Sequence, residues 1–192
     1  MSGIGGAAAE SRLSVEFNRI YAKPDLRVSI RSDGARTARC DVTGLVTVHS
    51  DMASVMLDAF RKGQRGGFFI LDHEQGHIEE GSPMRSNLLD TDDAPIGAVD
   101  LAEEREADAY ALRKTSDPIG DLASALAIYL LSNHDDGTIE LCDGKNFSDS
   151  AQGVWAASLY FLKNHGSLSL LSEDELFMLK PQVFEKFEQL RR

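Results

Sequence analysis

Cysteine is scarce in this chain: there are two in 192 residues, Cys40 and Cys142, far apart in sequence. They are too few for a disulfide framework, although a single bridge between them stays open, and such sparing use favours a reducing, cytoplasmic setting. Basic charge is short as well. Twenty Lys and Arg stand against 31 Asp and Glu, for a net charge of −11 and a pI near 4.8. That balance lacks the basic patches that nucleic acid and anionic membrane surfaces attract, so neither is an expected partner. Long hydrophobic runs are missing too: the most continuous apolar stretch, 122 to 131, is too short to cross a bilayer, and no integral membrane segment is expected. The N-terminus has neither the basic start nor the apolar segment of a signal peptide, and residues 1–12 read as a flexible tail. No nucleophile elbow for Ser-His-Asp chemistry is present. The glycines from Gly3 to Gly6 follow no strand, so they do not make a phosphate-cradling loop.

What the chain does have is His73-Glu74-Gln75-Gly76-His77, the pattern HExxH. On a helix of about 3.6 residues per turn, His73 and His77 stand one turn apart and can offer imidazole nitrogens to a single zinc ion. Glu74, beside the first histidine, is placed to bond a zinc-bound water, which makes it the general base for hydrolysis. Phe69, Ile70, His73, His77 and Ile78 form one stripe, as on a core-facing helix, so the histidines are expected to point inward. Gly66 and Gly67 before the stripe and Gly81-Ser82-Pro83 after it read as its brackets.

Catalytic zinc keeps three protein ligands and leaves a fourth position to water, so a third ligand is needed. Residues 100–114 read as the helix that supplies it, opening on Asp100 as N-cap with Glu103 in a capping box, and ending on Arg113-Lys114, which suits the helix dipole. Leu101, Glu104, Ala107, Asp108 and Ala111 share one face of that helix. Two carboxylates on a packing face need partners. Facing the HExxH helix, Glu104 can ligate zinc while Asp108 accepts the other imidazole N–H of a ligand histidine and orients it.

His73-Glu74-x-x-His77 followed by Glu104-Arg105-Glu106-Ala107-Asp108 resembles the gluzincin arrangement of zinc metallopeptidases, in which a downstream Glu-x-x-x-Asp helix provides the third ligand and a histidine-holding aspartate. The run from Glu104 to Ala111 is similar to the HtpX and CaaX-protease-like peptidases, which carry a longer insertion and often membrane spans. The short gap between the motifs resembles the ImmA/IrrE regulatory peptidases, which usually have Asn where Asp108 stands. The resemblance covers roughly residues 44 to 114. It implies a zincin-like metallopeptidase domain over 13–192, hydrolysing peptide bonds of a protein or peptide substrate with zinc as cofactor. The rival is a zinc-stabilised regulatory or binding domain with a protease-like fold and no turnover; such a module has no need of Glu74.

The remaining chain reads as an α+β order, strands first and helices later. A short helix is expected over 13–22, a hairpin of strands 26–30 and 37–42 around Asp33-Gly34, and a further strand over 45–49. In peptidases of the resembling kind an edge strand beside the site pairs with extended substrate, and 45–49 is the choice for it; His49 reads as an ordinary strand-end residue. Ser50 or Asp51 caps the next helix. Residues 81–99 read as a loop between the two metal helices, and Asp90, Asp92 and Asp93 lack the spacing of a calcium loop. Asp117-Pro118 starts a core helix over 119–132, 133–137 is a turn, and 138–142 a short strand. Ser148 or Asp149 caps a helix closing at Gly166, Ser172 to Glu175 is a capping box, and Pro181 starts a last amphipathic helix with Val183, Phe184, Phe187 and Leu190. A group that stabilises the oxyanion is also needed; Tyr110, Tyr129, His134, Tyr160 and His165 are candidates, and the sequence assigns none.

Overall fold

The computed structural model describes residues 4–41, 43–79, 101–141 and 143–192, with side chains from Arg12 onward. The expectations for the 81–99 loop, for Asp90, Asp92 and Asp93, for the Asp100 cap and for a Cys40–Cys142 bridge lie outside the described residues. The fold is mixed α+β and mostly helical, with seven α-helices and two small sheets among the described residues.

Helix α1 (Ile4–Tyr21) begins inside the segment read as a tail and ends before Pro24. Its Phe17 and Tyr21 are wholly buried, and the Tyr21 hydroxyl donates to the Met56 carbonyl at 2.8 Å. Three strands follow: β1 (Arg27–Arg31), β2 (Ala38–Cys40) and β3 (Leu45–His49). They pair in the order β1-β3-β2, β3 running parallel to β1 and antiparallel to β2. The expected β1–β2 hairpin therefore does not form. Val46 and Val48, both fully buried, take the last strand to the middle of the sheet, where it has a neighbour on each side. For the same reason β3 has no free edge for a substrate, contrary to the sequence reading.

Helix α2 (Ser50–Arg61) continues directly from β3, so its N-cap is His49, not Ser50 or Asp51. The His49 ring accepts from the Asp51 N–H through Nδ1 and donates from Nε2 to the Ser32 carbonyl, both at 3.2 Å. Helix α3 (Gly66–Glu79) carries the HExxH pattern and starts on the glycines read as brackets. Those glycines serve close approach: a Cβ at Gly66 would overlap the backbone of Ser124 and Ala125, and one at Gly67 the Tyr21 ring. Lys23 pairs with Asp72 and ties the start of the sheet to this helix.

Helix α4 (Leu101–Lys114) packs on α3, and α5 (Pro118–Ser132), capped by Asp117, runs through the centre of the molecule almost wholly buried. Its apolar surface is covered by α3, α2 and α7 (Glu173–Arg191). Between them lie the strands β4 (His134–Asp135), β5 (Thr138–Glu140) and β6 (Asn146–Ser148), an antiparallel sheet of which the sequence suggests only β5. Helix α6 (Ala151–Asn164) takes Ser150 as its cap instead of Ser148 or Asp149, and a 3-10 turn (Ser167–Leu170) follows Gly166. The capping box at Ser172 and Glu175 is formed, but it opens one helix that runs through Pro181. Leu179, Val183, Phe187 and Leu190 are all buried along one side of α7, so packing against α5 continues past the proline, which sits on the exposed side. Among the described residues no helix is long and apolar enough to cross a membrane.

Candidate metal centre

His73 and His77 lie on the side of α3 that meets α4, their rings edge to face with centroids 4.8 Å apart. Their side chains are only 12% and 16% exposed, and the two Nε2 atoms approach to 3.2 Å. Two imidazole nitrogens so close need a proton or a cation between them, since lone pair facing lone pair is repulsive. Glu74, on the next position round the helix, is buried at 5% exposure.

Helix α4 reaches this side of α3 because of Gly76, the second variable residue of the HExxH pattern. A Cβ there would stand 2.8 Å from the Ala107 Cα and 3.1 Å from the Tyr110 Cβ, so the two helices touch backbone to side chain at this point. Beside that contact α4 presents its carboxylates, Glu104 one turn before Ala107 and Asp108 directly after it. Glu104 Oε2 lies 3.2 Å from His73 Nε2, and Oε1 lies 3.6 Å from His77 Nε2. Asp108 Oδ1 is 2.6 Å from His73 Nδ1. A proton on His73 Nδ1, donated to Asp108, leaves the Nε2 lone pair turned toward Glu104 and His77. Leu101, assigned to the same face, is instead about half exposed, because the first turn of α4 projects beyond the contact with α3.

Two residues that the sequence left unassigned complete the cluster. Ser167, in the 3-10 turn, donates its hydroxyl to the second oxygen of Asp108. His165, one of five candidates for an oxyanion donor, brings Nδ1 to 3.1 Å from Glu104 Oε2. The other four candidates are engaged elsewhere: Tyr160 donates to Asp143, His134 pairs with Asp149, Tyr129 packs in the core at a tilt against Phe161, and Tyr110 lies under Lys114. The sequence signal that separates His165 is Phe161 one helical turn before it, whose ring stacks on the imidazole at 3.9 Å.

Burial works against charge on every group here, yet Glu104 ends with its carboxyl held well below the ordinary range, because His165, His73 and His77 surround it. Asp108 is likewise depressed against its burial, chiefly by His73. For His73 the desolvation is outweighed by Asp108 and Glu104, which raise its affinity for a proton well above that of free imidazole. Glu74 behaves oppositely: desolvation dominates and raises its pKa, with the nearby histidines only partly offsetting it. Its carboxylate takes a backbone hydrogen bond from Cys40 on β2. In the β2–β3 ladder Asp41 and Thr37 bond with Leu45 and His49, so the alternate residue Cys40 points its N–H to the open edge, toward α3.

The donors fit a zinc ion by their chemistry and spacing. Tetrahedral bonds of about 2.0–2.1 Å set neighbouring ligand atoms about 3.3–3.4 Å apart. The separation of His73 from His77, and of each of the three histidines from the Glu104 carboxylate, runs from 3.1 to 3.6 Å. His73, Glu104 and His165 each offer a ligand atom within 4.8 Å of the others. What fold and site together define is an α+β chain with a buried imidazole–carboxylate cluster between two helices. Set against protein-family models, curated proteins and solved structures, the chain matches none.

Proposed function

We propose that the protein is a zinc-dependent endopeptidase of gluzincin type with a zincin-like site, in which His73, His77 and Glu104 hold the ion. The observation that carries this reading is the convergence of the two Nε2 atoms and the Glu104 carboxylate within 3.6 Å, with His73 tied back to Asp108. Zinc bound by this set would supply a Lewis acid that lowers the pKa of water and polarises a substrate carbonyl.

The rest of the chemistry falls to the chain. Glu74 is buried beside the ligand histidines, and its raised affinity for a proton suits a group that takes one from water and passes it to the leaving amine. Asp108, steadied by Ser167, keeps the proton of His73 on Nδ1. An extended protein or peptide substrate would lie along β2, the edge strand that packs against α3, with Cys40 joining that edge to Glu74. A second reading has its own support. His165 Nδ1 comes to 3.1 Å from Glu104 Oε2, and a further donor at the cluster would fill the position that water needs, which favours a zinc-stabilised binding domain without turnover.

Elemental analysis of the purified protein beside His77→Ala and Glu104→Gln tests the site: one zinc per parent chain is expected, lost or clearly reduced in both variants. Glu74→Gln, which keeps the ligands, then separates the two readings. On a mixed peptide library the peptidase predicts a drop in cleavage of at least about 100-fold with zinc content unchanged. Parent and variant alike inactive on the library and on candidate protein substrates, with zinc intact, favours the binding domain.

A further inference from the structure

The loop after α6 brings a fourth nitrogen to the cluster, and that nitrogen is built in. Three consecutive residues of the loop each meet α4 at successive turns: His165 meets Glu104, Gly166 meets Leu101 and Ser167 meets Asp108. Gly166 adopts φ +69°, and a Cβ there would stand 2.6 Å from the Leu101 carbonyl oxygen, so only glycine lets the loop close this tightly. The His165 backbone N–H bonds the Phe161 carbonyl at 3.0 Å and its ring lies on the Phe161 ring at an interplanar angle of 25°. The backbone is thus held, and the ring rests on Phe161 on the side facing the cluster.

Within this clamp His165 Nδ1 is buried and has no aligned hydrogen-bond partner, although Glu104 Oε2 is 3.1 Å away. A histidine held only by a carboxylate would aim its N–H along the line to the oxygen. Two ligands of one ion behave differently: they stand side by side at such a distance with their lone pairs converging on a third point. We propose that His165 is a fourth zinc ligand, so that the resting centre is closed by three imidazoles and one carboxylate, and opens for water and substrate only when His165 withdraws. This rests on the zinc reading given above. The exit is available, since the His165 side chain is 28% exposed, the most open of the four, and it follows the last turn of a helix.

The test is zinc-edge X-ray absorption on the zinc-loaded protein, together with zinc affinity by chelator competition for the parent, His165→Gln and His165→Ala. Three imidazoles are expected in the parent and two in either variant, with affinity weakened at least about tenfold and far-UV circular dichroism unchanged. Two imidazoles in the zinc-loaded parent would overturn the proposal however the variants behave, as would parental affinity in a folded variant. A parent that takes up no zinc sinks this inference and the peptidase reading together, whereas zinc held by two imidazoles sinks this inference alone.

Discussion

Asp108 occupies a position where almost any other residue would be costly: nearly buried, it accepts from His73 on one oxygen and from Ser167 on the other. Glu104, one turn away, has its oxygens taken by imidazoles. Such groups are expensive to bury singly and hold together only as a connected set. Cys40 is the opposite kind of residue, a thiol close to Glu74 whose pKa burial, with Glu74 adding to it, pushes up to about 12. The sign is that of a group kept neutral by the fold: its contribution to stability is intact below the ordinary thiol pKa of about 8.5 and is lost as pH climbs toward 12. At pH 8 the thiolate is then about one part in ten thousand, against roughly a quarter for a free thiol. With Cys142 replaced by serine, a thiolate-directed disulfide reagent at pH 8 is expected to label the native protein about a thousandfold more slowly than the denatured one. Equal rates would mean that the half-buried Cys40 thiol is not kept neutral beside Glu74.

At the scale of elements, the contact that makes the site is the crossing of α3 and α4 at Gly76 and Ala107. Gly76→Ala adds a methyl 2.8 Å from the Ala107 Cα, so α4 must move away. Overpacking of this kind costs about 1–3 kcal/mol, partly offset by about 1 kcal/mol of helix propensity gained over glycine. Stability in denaturant is therefore expected to fall by no more than about 2 kcal/mol, whereas zinc affinity falls at least about tenfold because Glu104 and Asp108 are carried off with the helix. Zinc titration beside urea melts checks this; unchanged affinity would mean that α4 is not positioned through Gly76. The pattern His-Glu-x-x-His names the residues on α3, yet it does not say that the second x must be small. Nor does spacing on α6 reveal that the loop after it turns back onto α4, since that depends on Gly166 meeting the Leu101 carbonyl.

For the whole molecule, a metal that binds only the folded chain adds stability, about 4 kcal/mol at a thousandfold excess over its dissociation constant. In a chain of this size that corresponds to a melting temperature raised by about 8–16 °C. Calorimetry of the zinc-loaded and chelator-treated protein is expected to differ by that order, and Glu74→Gln to behave like the parent; coincident melts would remove the ion from the folding balance. The sequence by itself determined the helical periodicity of α3, α4 and α5, the Asp117 and Ser172 caps, the mixed α+β class, though not its order of strands first and helices later, and the pairing of His73 with His77 one turn apart, because these depend on neighbours within a few residues. It also offered Glu104 and Asp108, whose burial face follows from their spacing. Only the tertiary structure decided that β3 is central and β2 is the edge, that α7 runs through Pro181, and that His165 and Ser167 join the cluster. Each of these depends on which distant surface covers a given side chain, and that is settled by packing across the core, where local propensity carries no weight.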